Sequence, residues 1–257
     1  MRTESNSIVD GSMHIALEHL WGKYHAAFEA GETEHVRGLG KILDRGMVWA
    51  ENEVGRTEIL ITGFNPSFRL GDTAGSFKFD YRDVQYDSYY SEIKKTFLDD
   101  RLNAKAGYLD LFAVRETTQS YVAKFIKHPA GLSFIAEHLA ITQREIERLH
   151  PRLIIVKNKG AWMFWGLQAI RDGDKWMNVW MGYTFEKIPG FENDIFCGQI
   201  RKITGLYDVP DRVGKEIIKT DLSGTIILFT NHLRYMKKEL RPTPELISQL
   251  FDMASGR

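Results

Sequence analysis

The chain has 257 residues, of which 43% are hydrophobic and 26% charged, so it is long enough and apolar enough to bury a full globular core. Its 34 basic and 34 acidic residues give a formal net charge of zero, which excludes a strongly basic, histone-like nucleic-acid binder. No apolar run is long enough to cross a membrane, and the single cysteine, Cys197, excludes an internal disulfide framework and a cysteine-ligated metal centre. We therefore expect a cytoplasmic protein with no membrane partner.

The first predicted elements are two helices, over residues 14–29 and 33–45. The apolar side chains of the first helix recur at helical spacing: Ile15, Leu20, Tyr24 and Phe28. We assign residues 1–50 to an N-terminal helical extension and residues 51–257 to the main α/β domain.

The first predicted strand, residues 58–62, runs directly into the turn Gly63-Phe64-Asn65-Pro66-Ser67. Open α/β sheets bind their ligands at the carboxyl ends of such strands. Gly63 permits a close backbone approach, and Asn65 and Ser67 offer polar side chains at the same place. The turn fits a binding or catalytic site. It fits equally well a strand-to-helix corner in which Asn65 starts a turn and Ser67 caps the next helix.

Residues 68–105 have the pattern of a long, aromatic-rich loop followed by a helix near residues 89–99. Loops of this length in compact domains are commonly functional or disordered. Strands and helices then alternate, at residues 108–114 (strand), 133–150 (helix, with Ser133 as N-cap), 153–156 (strand) and 161–171 (helix, opened by the turn Asn158-Lys159-Gly160).

Residues 172–221 show no clear pattern, and the stretches 176–185 and around Phe196 fit either edge strands or an aromatic loop. The next predicted strand, residues 224–230, ends in Thr230-Asn231-His232. A last helix is predicted from Pro244, with Thr243 as its cap. Between them lies a run of basic residues: His232, Arg234, Lys237, Lys238 and Arg241. Such a run is typical of a solvated helix face. It would favour a DNA-binding patch if it lies at the same sheet edge as the Asn65 turn.

Apolar strands separated by helices predict an α/β protein, a three-layer sandwich with a central, mostly parallel sheet and helices on both faces. The carboxyl ends of parallel strands meet at one edge of such a sheet. We therefore predict that Asn65, Asp110, Lys159 and His232 line one cleft at that edge.

Four segments resemble, in their order, the motifs of the uracil-DNA glycosylase superfamily, most of all its mismatch-specific and single-strand-selective branches. They are the turn at residues 63–67 and the segments 108–114, 151–161 and 228–234. The resemblance implies a DNA glycosylase that hydrolyses the N-glycosidic bond of uracil or a related base in single-stranded or mismatched DNA, without cofactor or metal. The chain departs from the family twice, because Asp110 stands where the family has a pyrimidine-reading Asn and no Pro-Ser follows His232.

In this interpretation Asn65 and His232 are the catalytic residues. Cleavage of the glycosidic bond builds positive charge on the sugar and negative charge on the leaving base. Asn65 would orient the attacking water, since its amide does not titrate near neutral pH, and His232 would stabilise the departing base.

The predicted base pocket contains Gly63, Phe64 and Asp110, with Phe77 or Phe79 as a stacking wall. An alternative for the two phenylalanines is packing beneath the long loop. DNA binding is predicted to be weak because the protein is neutral, and it would use a few local contacts: Ser67, Arg69, Lys159, Arg234, Lys237 and Lys238.

Two other functions remain open. The neutral charge and the Asp110 departure favour a catalytically inactive nucleic-acid or nucleotide-binding module of the same fold. A hydrolase is the other alternative, because Ser67, Asp110 and His232 follow one another in the order of an α/β-hydrolase triad, although no Gly-x-Ser-x-Gly motif surrounds Ser67.

Overall fold

The structure, a computed structural model, describes residues 13–82, 88–191 and 198–255. Cys197 lies outside the described residues. The helices are α1 (Met13–Glu29), α2 (Glu34–Leu43), α3 (Ser88–Phe97), α4 (Asp100–Asn103), α5 (Tyr121–Ile126), α6 (Pro129–Leu149), α7 (Trp162–Trp165) and α8 (Pro244–Ser255). The strands are β1 (Val48–Glu51), β2 (Ile59–Gly63), β3 (Phe77–Asp80), β4 (Ala106–Asp110), β5 (Leu153–Val156), β6 (Ile170–Asp172), β7 (Lys175–Met177), β8 (Tyr183–Lys187), β9 (Gly198–Leu206) and β10 (Ile226–Thr230).

A six-stranded sheet in the order β4-β2-β5-β10-β9-β8 forms the centre of the described structure. The strands β4, β2, β5 and β10 are parallel, and β9 and β8 add an antiparallel edge. The prediction of an α/β protein with a mostly parallel sheet is confirmed. The antiparallel edge comes from β8 and β9 in the segment 172–221, where the sequence pattern left edge strands and an aromatic loop as alternatives.

Alternate residues of the parallel strands face opposite layers of helices. Leu60, Ile154 and Ile227 belong to a core shared with α1, α2, α5 and α6. Their neighbours Ile61 and Ile155 belong to a second core shared with α3 and α8. Both faces of the sheet are therefore covered, which explains why these strands are continuous apolar runs in the sequence.

Capping residues explain where several helices begin. Thr33 accepts a hydrogen bond from the Val36 backbone N–H at the start of α2, and Thr243 does the same for Leu246 at α8. The predicted N-cap at Ser133 is wrong. The cap of α6 is His128, whose Nδ1 accepts from the Ala130 N–H, and Pro129 occupies the first turn.

The predicted helix over residues 161–171 is also wrong, because α7 ends at Trp165. Gly166 has φ of 103°, and a Cβ there would lie 2.6 Å from the Tyr183 carbonyl oxygen. The left-handed glycine terminates the helix and lets the chain pass close to β8. The second predicted strand is shorter than expected too, since β4 covers Ala106–Asp110 rather than residues 108–114.

The N-terminal helix α1 packs against the helices α5 and α6. Phe28 of α1 contacts Phe125 of α5 and Phe134 of α6, with ring centroids 5.7 Å and 6.3 Å apart.

Among the described residues, no helix is both long enough and apolar enough to cross a bilayer.

Candidate functional site

A cavity of about 870 Å³ opens at the carboxyl edge of the parallel strands. It lies where β2 and β5 are neighbours, although among the strands of this sheet the chain passes from β2 to β4 and only then to β5. Such a switch in strand order is where open α/β sheets leave a crevice for ligands. The lining residues are Phe64, Asn65, Ser67, Arg69, Tyr89, Glu92, Tyr108, Asp110, Glu116, Thr117, Thr118, Gln119, Ser120, Lys157, Asn158, His232, Arg234, Tyr235 and Arg241.

The Asn65 side chain is held by its amide nitrogen. Nδ2 donates to the backbone carbonyls of Pro66 (2.9 Å), Val114 (3.2 Å) and Glu116 (2.6 Å). Three carbonyl partners fix which end of the amide is nitrogen. Oδ1 has no hydrogen-bond partner among the described residues, so it is the atom of Asn65 available to a water molecule or a ligand.

Ser67 lies on the cavity wall and does not cap a helix. Residues 68–82 contain β3 and turns but no helix. The strand-to-helix corner that the sequence left open is therefore not formed in this part of the chain.

Gly63 makes room for a pair of polar groups. A Cβ on Gly63 would lie 1.9 Å from Asp110 Oδ1 and 2.1 Å from the Tyr108 hydroxyl oxygen. The close approach that the sequence predicted for Gly63 is thus made by two side chains of β4.

Asp110 is 8% exposed and accepts a hydrogen bond of 2.8 Å from the Tyr108 hydroxyl at Oδ1. Burial raises the pKa of Asp110 to about 6, against the opposing effects of the Lys157 charge and the Tyr108 hydrogen bond. Oδ2 has no partner among the residues described. Asp110 therefore presents a buried carboxyl group whose surroundings favour the neutral form more than water does.

Lys157, the first residue after β5, is 2% exposed. Its Nζ donates to the Tyr89 hydroxyl and lies 4.3 Å from the centroid of the Tyr89 ring and 5.2 Å from that of Tyr108. Burial lowers the pKa of Lys157 to about 8, although the Asp110 charge acts in the other direction.

His232 meets the same tyrosine from the end of β10. Its Nδ1 accepts from the Arg234 backbone N–H at 3.2 Å, which leaves Nε2 to carry the proton of the neutral ring. Nε2 lies 3.1 Å from the Tyr89 hydroxyl oxygen, and the two rings are stacked. Burial, reinforced by the charges of Lys157 and Arg234, lowers the pKa of His232 to about 4, so the imidazole is neutral at pH 7.

Most of the predicted site residues meet at this cavity. Asn65, Asp110 and His232 share it as predicted, with four further residues of the predicted set: Phe64, Ser67, Arg69 and Arg234.

Six predicted site residues are not among those that line the cavity. One is Gly63, which lies beside the Asp110 and Tyr108 side chains as described above. Lys159 is exposed, with its Nζ 5.9 Å from the Trp162 ring centroid, because it belongs to a 3-10 turn that leaves the sheet. Phe79 packs in the core against Tyr90 and Tyr108, and Phe77 lies on β3 with the Arg115 guanidinium 5.3 Å from its ring centroid. Lys237 and Lys238 are exposed and do not line the cavity either.

The sequence prediction missed Tyr89 and underrated Lys157. Strand alternation contains a signal for Lys157, because it follows Ile155 by two residues and so faces the same layer. No comparable pattern marks Tyr89, which reaches the cavity from α3 through the tertiary fold.

The hydrolase alternative lacks its geometry. In the described structure, His232 makes hydrogen bonds with Tyr89 and Arg234 but none with Ser67 or Asp110. A serine nucleophile needs the imidazole within hydrogen-bond reach.

One group of potential metal ligands exists in the described part of the chain, formed by His25, Glu29 and Asp44. None of them lines the cavity. Both imidazole nitrogens of His25 already face these carboxylates, at 3.4 Å from Glu29 and 2.5 Å from Asp44. The group fits surface contacts of His25 within α1 and with Asp44, the C-cap residue of α2.

Comparison of the chain with protein-family models, with curated proteins and with solved structures found no match.

Proposed function

We propose that this protein is a DNA glycosylase-like hydrolase that cleaves the N-glycosidic bond of a deaminated or damaged base. The observation that carries the proposal is the meeting of Asn65, Asp110 and His232 at one cavity, each from the end of a different parallel strand. The order of the four glycosylase-like segments along the chain supports it as well.

The two catalytic roles follow from the hydrogen-bonding state of each side chain. Asn65 Oδ1 can accept a hydrogen bond from the attacking water while Nδ2 stays anchored to three carbonyls. The neutral His232 ring offers its Nε2–H to the leaving base, which would compete for it with the Tyr89 hydroxyl oxygen. A well-placed donor of this kind contributes roughly 3 to 4 kcal/mol to the stabilisation of developing charge.

Asp110 bears on the choice of base. As a carboxylate it accepts hydrogen bonds only, which favours bases with exocyclic amino groups. When protonated below its pKa of about 6, it can also donate to a carbonyl oxygen. Asp110→Asn should therefore increase uracil excision at neutral pH, because an amide donates to the uracil carbonyl without needing protonation.

The DNA partner in this proposal is single-stranded or mismatched, and the contacts are few. Ser67, Arg69 and Arg234 line the cavity, and Arg69 and Arg234 supply positive charge there. We keep the cytoplasm as the proposed location, because a single cysteine suits a reducing compartment.

The test is a panel of oligonucleotides that carry uracil, hypoxanthine, xanthine or a mismatched base, each followed by alkaline cleavage of abasic product. Under single-turnover conditions the protein should excise at least one of these bases, and Asn65→Ala should reduce the rate of that excision by about 100-fold or more. If the folded protein, in excess and at several pH values, excises none of these bases, the proposal is wrong.

A second candidate is a binding module that keeps the cavity without turnover. The charge arrangement favours it, because charges that line the cavity are already paired: Arg241 with Glu92 at 2.8 Å, and Glu116 with Arg45, which lies outside the lining, at 2.6 Å. Calorimetric binding of deoxynucleotides or short oligonucleotides, together with an intact panel, would establish this alternative.

A further inference from the structure

Lys157 is a buried cation that the glycosidic cleavage above does not use. Its side chain is 2% exposed, yet no carboxylate lies within 4.0 Å of its Nζ in the part of the chain that the structure describes. Its contacts there are the hydroxyl and ring of Tyr89 and the ring of Tyr108. Lysines are almost never fully buried unless they are paired, since removing an ammonium group from water costs free energy.

The position of Lys157 ties this cost to the ligand cavity. Its backbone N–H donates to the Thr62 carbonyl at 3.1 Å, which places it beside the turn that carries Asn65. An apolar, aromatic surrounding disfavours the charged ammonium, and burial lowers the pKa of Lys157 to about 8. Lysines with this kind of environment act as amine nucleophiles toward carbonyl carbons.

We propose that the Lys157 amine forms a covalent imine with the aldehyde of a ring-opened deoxyribose at an abasic site. The neutral Nζ attacks C1′ of the open-chain sugar, and a carbinolamine forms. The carbonyl oxygen then leaves as water with the two protons that Nζ loses, and a C=N double bond remains. Addition of water reverses the step and returns the amine and the aldehyde, so no oxidant or reductant is needed.

This activity rests on the proposed function for its substrate, because hydrolysis of a glycosidic bond in DNA produces the abasic sugar in this same cavity. The imine would hold the abasic strand after the base has left. Its formation can nevertheless be measured on DNA in which the abasic site is already present, so it does not require the protein to remove a base.

The experiment traps the imine by reduction. The full-length protein is incubated with an oligonucleotide carrying a preformed abasic site and with sodium cyanoborohydride, which converts the imine into a stable secondary amine. We expect a covalent protein–DNA adduct on a denaturing gel, and peptide mapping by mass spectrometry should locate it at Lys157.

Three controls make the test specific. Lys157→Met should abolish the adduct, whereas Lys41→Met, at an exposed lysine of α2 that does not line the cavity, should leave it unchanged. An oligonucleotide with a tetrahydrofuran analogue, which has no aldehyde, should give none. Free 2-deoxyribose should label Lys157 far more weakly than the abasic strand does, because only the strand contributes DNA contacts.

Several results would overturn the proposal. These are the absence of an adduct in the wild-type protein, an adduct mapped to other amines, an adduct that persists in folded Lys157→Met, or equal labelling by free 2-deoxyribose. If Lys157→Met fails to fold, the peptide map of the wild-type adduct decides alone. If the adduct forms but no base in the oligonucleotide panel is excised, the proposed glycosylase function is wrong and the imine proposal stands. If a base is excised but no adduct forms, the imine proposal is wrong and the glycosylase function stands.

Discussion

The two edges of the parallel strands carry similar charged residues but place them differently. At the amino edge, Glu58 precedes β2, Lys105 precedes β4 and Arg152 precedes β5. The Glu58 carboxylate joins both cations, at 2.5 Å from Lys105 Nζ and 2.9 Å from Arg152 Nη1. The hydrogen bond from Lys105 is the largest of the effects that lower the pKa of Glu58. Charge at this edge is paired and partly in contact with water.

At the carboxyl edge, the same strands lead to charges that are buried and not in ion pairs. Asp110 ends β4 and Lys157 follows β5, and neither forms an ion pair within 4.0 Å among the described residues. Their pKa values are shifted toward the neutral forms, to about 6 and about 8. This edge lowers the stability of the fold, which is the usual cost of a site kept ready for a ligand. The amino edge thus pairs its charges and stabilises the sheet, whereas the carboxyl edge buries charges without ion pairs, as the proposed function would use them.

The largest expected effect is at Asn65. Asn65→Ala should reduce single-turnover excision by about 100-fold or more and leave DNA affinity nearly unchanged, because the water-orienting interaction is made mainly in the transition state. Glu58→Gln at the opposite edge is the matched control and should retain the wild-type rate. A loss of affinity as large as the loss of rate would mean that the variant had disrupted the turn instead.

The second prediction concerns the stability cost of Asp110. Its folded pKa of about 6 exceeds its usual value of 3.8, so its protonation stabilises the folded state at low pH, and that contribution is lost as the pH rises through about 6. Asp110→Asn, which resembles the protonated acid, should therefore gain free energy of unfolding relative to wild type between about pH 4 and pH 7. The gain should be about 2 to 3 kcal/mol, measured by urea unfolding. A constant difference across this range would contradict a buried carboxyl group.

The third prediction concerns the amino edge, where removing the carboxylate should lower the free energy of unfolding instead of raising it. The folded pKa of Glu58 is lowered, so its contribution is present above its usual pKa of 4.5 and is lost as the pH falls through the folded value. Glu58→Gln should lower the free energy of unfolding by about 1 kcal/mol at pH 7, and this difference should shrink in acid. If Glu58→Gln stabilised the protein as Asp110→Asn is expected to do, the proposed difference between a stabilising amino edge and a destabilising carboxyl edge would be wrong.

The smallest effect is expected for the exposed lysines Lys237 and Lys238, which do not line the cavity. With about three or four phosphate contacts, the logarithm of the DNA affinity should fall against the logarithm of salt concentration with a slope of about −3. Replacing both lysines by Glu should weaken binding uniformly across DNA sequences and make this slope shallower. Unchanged binding would leave Lys237 and Lys238 as ordinary solvated residues.

The parts of this molecule that could be predicted from sequence are those in which local pattern and burial agree. The run Leu153–Val156 is apolar on both faces, and it forms the predicted strand with the predicted bounds. The turn at Asn65 and the end of the last strand at His232 were recognisable because short polar segments follow apolar runs. Their meeting in one cavity then follows from the parallel sheet.

The features that could not be predicted from the sequence depend on tertiary packing. Tyr89 reaches His232 and Lys157 because α3 packs across the end of the sheet, and local sequence contains no trace of that contact. Lys157 and Lys159 look equivalent as two basic residues after a strand, but the 3-10 turn at residue 159 carries the second one to the surface. The antiparallel strands β8 and β9 lie in a segment without a clear period.

The most direct measurement of the difference between the edges is a chemical-shift map of the backbone amides. The isotope-labelled protein is titrated with a short single-stranded oligonucleotide that carries an abasic site. We predict that the changes concentrate at the carboxyl edge, in Asn65, Lys157, Asn158 and His232, while Glu58, Lys105 and Arg152 stay unchanged. Changes centred on the amino edge, or spread over the surface without a maximum at the cavity, would contradict the account.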